Sequence, residues 1–168
     1  DYTDEELDCL RSCGIKSTII MAFSTTAPKP AQRLKLLVNE LLPAAQRAGI
    51  ENILVDPGVL DIASISWTAL AIRDIKETLG YPSGCAPSNA LYTWEKLRAL
   101  GRPAFEAAAA ATFTLTQAAG ADFVHYGPIR DAPWVYQAVA TADAMTAYAG
   151  RITGIRPVTE AHPLYRIF

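Results

Sequence analysis

Cysteine and histidine are scarce in this sequence. Three cysteines, Cys9, Cys13 and Cys85, and two histidines, His125 and His162, are spread over 168 residues. An odd and small number of thiols does not build a disulfide framework and points to a reducing compartment. Nor do these residues suit zinc, which takes three or four such ligands at one place. Cys9 and Cys13 lie one helical turn apart on what reads as an outer helix, His162 is in the tail, and Cys85 and His125 remain as a pair near strand ends. No metal site is expected, and Cys85 reads as small apolar filler.

An excess of either charge is also missing. Fifteen basic and seventeen acidic residues leave a net charge of −2, so the basic face that nucleic acid requires is not expected. The longest uncharged stretch, Ala107 to Ala121, is rich in Ala and Thr and contains Gln117. It falls short of the ~20 apolar residues of a membrane helix and reads as a buried helix. The opening run Asp1-Tyr2-Thr3-Asp4-Glu5-Glu6 is acidic and has no initiator Met, which reads as a chain without a signal peptide, truncated or cut. A cytoplasmic location is expected. The sequence also lacks a G-x-G-x-x-G loop after any strand, a Walker loop, a nucleophile elbow and a Ser-His-Asp order.

What is present is an alternation. An amphipathic helix over Asp4–Cys13, with Leu7 and Leu10 on one side, stops at Gly14. The apolar run Thr18–Phe23 is of strand type and ends in the polar Ser24-Thr25-Thr26. From Ala31 to Ala48, Leu34, Leu37, Val38, Leu41, Leu42 and Ala45 recur at the spacing of one buried helical face, with Pro43 as a kink and Gly49 as the end. Asn52–Asp56 is a second strand, closed by Pro57-Gly58; Ser64–Leu79 is a helix with Ile65, Ile72, Ile75 and Leu79 facing inward. Tyr81–Ala86 is a third strand with Pro87-Ser88-Asn89 as its exit. A helical stretch then begins near Tyr92, breaks at Gly101-Arg102-Pro103 and resumes to Ala119. The last unit is Asp122–Tyr126, Gly127-Pro128 and a helix over Trp134–Ala149, with the tail from Arg156 to Phe168 as a surface strap. Trp67, Trp94 and Trp134 sit on helices and read as packing residues.

Apolar strands alternating with helices predict a parallel sheet covered on at least one face. Four such units are half of a (β/α)₈ barrel, which needs ~250 residues; the alternative is an open doubly wound sheet. In a barrel the chemistry lies at the carboxyl ends of the strands, here Ser24 and Thr25, Asp56, Ser88 and Asn89, and Tyr126 with Gly127. A carboxylate at a strand exit either binds a ligand or turns the chain, and Asp56 admits both readings. An amide donates and accepts at once, so Asn89 can read a heterocycle edge; it can equally cap the helix before Leu91. These residues alone do not name a reaction.

Four strings do more. "LVDPGVLDIASIS" ends a strand in Asp56, "AIRDIKETLGYPSGCAPSNA" leads a helix to Asn89, "ADFVHYGPIRDAPWVYQAVATADAMTAYAGR" forms the last unit, and "AHPLYRIF" closes the chain. In this order, from about Ile15 onward, they resemble the H-subunit family of tetrahydromethanopterin S-methyltransferases and its bacterial relatives, the methyltetrahydrofolate–corrinoid protein methyltransferases.

The resemblance implies a single partial domain over 1–168: the C-terminal half of a TIM (β/α)₈ barrel that binds a pterin. Asp56 then matches the family's pterin-binding Asp on strand six. Asn89 matches the Asn on strand seven, a pterin ligand and the catalytic candidate. The family's remaining pterin-binding Asp belongs to a strand with no counterpart here, so the isolated segment, with two open strand edges, is expected to be poorly stable or inactive. The implied reaction passes a methyl group from N5 of a methyl-tetrahydropterin, tetrahydromethanopterin or tetrahydrofolate, to cobalt(I) of a corrinoid carried by a partner protein. A homodimer and peripheral association with a membrane methyltransferase complex are further implications. Two other readings are a non-catalytic component that docks a corrinoid protein and a pteroate-forming synthase. The latter needs a cation for a diphosphate, and no Lys or Arg stands at the strand exits named above.

Overall fold

The computed structural model describes residues 2–166. Its first helix, α1 (Asp4–Ser12), is fixed by a capping box: Glu6 N–H donates to Thr3 Oγ1 at 3.2 Å and Thr3 N–H to Glu6 Oε2 at 2.7 Å. Asp4, Glu5 and Glu6 in its first turn and Arg11 in its last complement the helix dipole. Strand β1 (Ser17–Met21) follows.

The helix expected over Ala31–Ala48 is three consecutive segments: α2 (Pro30–Leu36), a π-helical turn over Leu37–Leu41, and α3 (Leu42–Arg47). Pro43 has no N–H to give, and the chain adapts just before it, with Leu42 N–H reaching back to Leu37 O. The expected inward face shifts as a result. Leu37, Ala44, Ala45 and Ala48 are buried, Val38 lies exposed, and Arg33, one turn before Leu37, is buried completely.

Strand β2 (Asn52–Asp56) leads to α4 (Ile65–Leu79), which buries Ile65, Ile72 and Ile75 as expected and ends at Gly80 with φ +73°. The third strand is shorter than expected. Pro82 and Pro87 bracket it, neither can donate to a ladder, and β3 is only Gly84–Cys85. The helix after it starts earlier than expected, at Pro87 rather than near Tyr92: α5 (Pro87–Thr93), α6 (Glu95–Ala99) and α7 (Arg102–Ala118) are separated at Trp94 and at Gly101, the latter with φ +89°. Strand β4 is Phe123–Val124, and α8 (Ala132–Gly150) follows a 3₁₀ turn over Ile129–Asp131. In the tail, Leu164 is buried in a 3₁₀ turn, Pro163–Tyr165, packed on α8; the last two residues of the expected strap lie outside the described residues.

Among the described residues all strand pairing is parallel. β1 pairs with β2 from Ser17↔Asn52 to Met21↔Asp56, a single bridge joins Val55 to Ser83, and β3 pairs with β4. Hydrogen bonds extend these short ladders: Val55 N–H donates to Pro82 O at 2.9 Å, Asp122 N–H to Ser83 O at 2.8 Å and His125 N–H to Cys85 O at 2.9 Å. The strands thus run β1-β2-β3-β4 in chain order, an α/β arrangement of four parallel βα units behind one short helix.

The two faces of the β1–β2 pair differ. Ile20, Ile53 and Val55 point into helix-covered clusters with Leu7, Leu37, Ala44, Ala45 and Ile75. On the other face Ile19, Met21 and Leu54 are 45%, 63% and 36% exposed. Among the described residues the helices cover one side of this pair only. A second core joins α5, α7 and α8, where the Trp134 ring meets Phe105 edge-on at 6.5 Å and Phe113 at 6.0 Å. That is the packing role expected of Trp134; Trp67 and Trp94 are partly exposed.

Candidate functional site

The carboxyl ends of four parallel strands face the same way, so the residues just past each are neighbours. Asp56 is the last residue of β2 and is half-buried. Its Oδ1 accepts the Gly58 N–H at 2.7 Å, while Oδ2 makes no hydrogen bond among the described residues. The turn is tight because Gly58 adopts φ +80°, where side chains are strained, and because a Cβ there would sit 2.6 Å from Phe23 Cβ. Beyond it the loop is braced: Leu60 and Asp61 N–H both donate to Ser64 Oγ at 3.0 Å, and Ser64 N–H donates to Asp61 Oδ1 at 2.8 Å. Asp56 therefore does turn the chain, and its Oδ2 is left without a partner among the described residues.

Beneath this turn lies a residue that sequence reading missed. Arg33, on α2, is fully buried. Its Nη1 donates to Gly58 O at 3.1 Å and to Thr68 Oγ1 at 3.0 Å, and Thr68 Oγ1 donates to the same carbonyl at 2.6 Å. The guanidinium lies 5.3 Å from the centroid of the Phe23 ring. The only trace of this in the sequence was that Arg33 precedes Leu37 by one turn. No Lys or Arg stands at the strand exits themselves; Arg33 reaches the turn after β2 from α2, enclosed and with no open surface for a diphosphate.

Burial dominates the electrostatics. It raises Asp56 above the ordinary carboxylate range, against the opposing pull of the Gly58 N–H, of His125 and of Arg33. Burial lowers Arg33, with Asp56 and Cys85 acting the other way. Burial also pushes the Cys85 thiol far up, and Asp56 adds to it, while Thr116 and Arg33 oppose. Cys85 is therefore a neutral thiol rather than a nucleophile, consistent with its reading as core filler. Asp56, Arg33, Cys85 and His125 thus form one electrostatic neighbourhood drawn from β2, α2, β3 and the exit of β4.

The other expected site residues fall as follows. Ser24 Oγ lies 2.9 Å from Thr26 Oγ1 in a local turn, and Thr25 is exposed. Ser88 is buried in the first turn of α5. Asn89 is exposed at the third position of that helix; its N–H donates to Ala86 O at 3.1 Å, and its side chain makes no hydrogen bond among the described residues. The N-cap is Ala86, so the capping role considered for Asn89 is not the one it plays: α5 starts two residues before it, because Pro87 at the first helical position needs no N–H partner. The Tyr126 ring packs edge-on against Tyr136 at 6.0 Å. Gly127 lets the Tyr92 ring approach, since a Cβ there would be 2.7 Å from Tyr92 Cε2. That ring is tethered, Tyr92 OH donating to Asp131 Oδ2 at 2.9 Å and Arg102 Nη2 to Asp131 Oδ1 at 3.0 Å. This buried carboxylate hub at the start of α8 also escaped the sequence reading.

Comparison with known proteins adds one family match and three relatives. The family model described as "Tetrahydromethanopterin S-methyltransferase MtrH subunit" matches residues 1–158, a span that starts earlier than the resemblance from Ile15 and ends just inside the tail. The H-subunit of tetrahydromethanopterin S-methyltransferase from Methanopyrus kandleri is 29% identical, covering 95% of this chain and 56% of the relative. A Methanosarcina barkeri protein, named as the H-subunit of the putative methyltransferase mtx, is 31% identical over 95% of the chain and 54% of its own length. The tetrahydromethanopterin S-methyltransferase H-subunit of Methanothermobacter thermautotrophicus is 28% identical over 98% and 56%. The chain spans about half the length of the curated relatives it matches.

Proposed function

We propose a pterin-binding, methyl-transferring role from one premise: the chain belongs to the tetrahydromethanopterin S-methyltransferase MtrH subunit family. The whole protein passes the methyl group of an N5-methyl-tetrahydropterin, tetrahydromethanopterin or tetrahydrofolate, to a corrinoid held by a partner protein, or runs the reverse. The 168 residues are a single partial domain, the C-terminal half of a (β/α)₈ barrel. In support, the sheet is parallel in chain order, helices cover one face of β1–β2, and apolar Ile19, Met21 and Leu54 lie open on the other. A closed barrel would fill that face with side-chain layers and remove the strand edges.

One observation carries the site reading. At adjacent strand exits stand a half-buried carboxylate with one oxygen unspent, Asp56, and an exposed amide without a partner among the described residues, Asn89. A pterin ring presents guanidine-like N–H groups, which a carboxylate accepts. It also presents N5, a tertiary amine that must gain a proton or a strong hydrogen bond as the methyl leaves. Asp56 holds the ring through its N–H edge. Asn89 turns its amide to N5, and that bond strengthens as charge develops there. The corrinoid, when its carrier is docked, supplies the nucleophilic metal centre. The residues at hand orient the donor and stabilise N5. No helix among the described residues is long and apolar enough to cross a membrane. The assembly we propose is a homodimer that docks its corrinoid carrier in the cytoplasm, meeting any membrane complex through partner proteins.

The test separates binding from chemistry. In the complete polypeptide, Asn89→Ala should slow single-turnover methyl transfer to a corrinoid more than it weakens pterin titration. A charge-assisted hydrogen bond contributes about 1.5–3 kcal/mol against about 1 for a neutral one. Asp56→Ala should weaken pterin affinity and transfer alike. Loss of affinity alone in Asn89→Ala would remove the N5 contact, and pterin binding without any methyl transfer would favour a docking role.

A further inference from the structure

Arg33 is expensive where it stands. It is fully buried, its Nε and Nη2 have no hydrogen-bond partner, and it forms no salt bridge within 4.0 Å among the described residues. Burying a guanidinium costs free energy that partners must offset. Here the offset is one nitrogen, Nη1, and the face of Phe23. The carbonyl that Arg33 holds does not need it, since Thr68 Oγ1 already donates to Gly58 O at 2.6 Å. An apolar side chain of similar length would fill the same space without the orphaned donors. Stability therefore does not explain the residue, and its position does: Arg33 Nη1 grips the carbonyl of Gly58, and the N–H of Gly58 grips Asp56 Oδ1.

We propose that Arg33 is a positioning residue for the pterin site: from below the strand ends it fixes the Asp56–Gly58 turn and sets a buried positive charge near the carboxylate that faces the pterin. This rests on the pterin reading of Asp56 given above. The charges around Asp56 support it. Besides burial, the groups acting on it are the Gly58 N–H, His125 from the exit of β4 and Arg33 from α2, and Asp56 in turn acts on Cys85 of β3. Cys85 is held neutral, and His125 is exposed and screened by solvent. Arg33 is the fixed, buried positive charge in the group, set against the burial that raises Asp56. Without it the carboxyl would hold its proton to higher pH and offer the pterin N–H edge a weaker acceptor.

The test is the pH dependence of tetrahydromethanopterin affinity in the complete polypeptide. In the parent, affinity should fall as pH drops through the Asp56 titration. Arg33→Met should move that midpoint up, because the positive charge that opposes the burial of Asp56 is gone. Its melting temperature should be unchanged or higher. Arg33→Gln, which keeps an N–H for the Gly58 carbonyl and drops the charge, should move the midpoint the same way and serves if the Met variant does not fold. Arg33→Lys should leave the midpoint near that of the parent. A uniform loss of affinity at every pH in Arg33→Met or Arg33→Gln, or no pH dependence in the parent and variants alike, would overturn the proposal. Asp56→Asn separates the two readings: if it binds like the parent at all pH values, the Asp56 assignment itself fails, whatever Arg33 does.

Discussion

Replacing Gly58 by alanine asks two things of the turn at once. The first is a side chain at φ +80°, which costs about 1–2 kcal/mol for an L residue in the left-handed region. The second is room for a Cβ 2.6 Å from Phe23 Cβ, which the backbone holds in place, and 2.9 Å from Phe23 Cγ. Overpacking of that kind adds about 1–3 kcal/mol, so Gly58→Ala should destabilise by about 2–5 kcal/mol. Gly80→Ala is the internal control. Gly80 has φ +73°, but a Cβ there meets nothing within 4 Å, so only the first cost applies. Chemical denaturation of both variants of the complete polypeptide, with unchanged slopes, gives the two values. Under the proposed pterin role of Asp56, pterin affinity should fall as well, because moving the Gly58 N–H takes away the hydrogen bond to Asp56 Oδ1. If Gly58→Ala proved no more destabilising than Gly80→Ala, Phe23 would not be packed on this turn, and the account of how Asp56 is held would fall with it.

Three further outcomes are expected. Burial raises Asp56, so the folded chain keeps that proton to higher pH than the unfolded chain does; the stability this proton confers is full at low pH and is lost as pH rises through the raised value. Asp56→Asn removes the titration, so its melting temperature should exceed the parent's at neutral pH and lose that advantage in acid; a gap independent of pH would refute this. Gly84→Ala would drive a Cβ into the Phe123 carbonyl oxygen, so it should cost about 3 kcal/mol, the top of the overpacking range, with hydrogen exchange accelerating first at the Asp122 and His125 amides that donate to Ser83 and Cys85 on either side of Gly84; unchanged exchange there would mean the strands do not approach so closely. A thiol placed on the open face by Met21→Cys should label rapidly in the 168-residue chain and slowly in the complete polypeptide, whereas equal labelling would count against a closed barrel.

Composition and periodicity determined the class of this protein. Apolar runs of strand length alternating with amphipathic helices admit a parallel sheet, and Pro57 after Asp56 ends β2 there whatever surrounds it, because proline cannot extend the ladder. The strings around Asp56 and Asn89 carried the family by themselves. Local order could not fix the rest. The strand Ile19-Ile20-Met21 is apolar on both sides, so its sequence does not say which side the helices cover; the packing of α1, α3 and α4 decides that. The role of Asn89 turned on where α5 begins, a matter of Pro87 and the short β3 rather than of Asn itself. Arg33 could be read only in three dimensions. Its partners lie 25 and 35 residues away in sequence, and a charged residue on a helix is presumed to face water until the fold brings a carbonyl, a hydroxyl and an aromatic face to meet it.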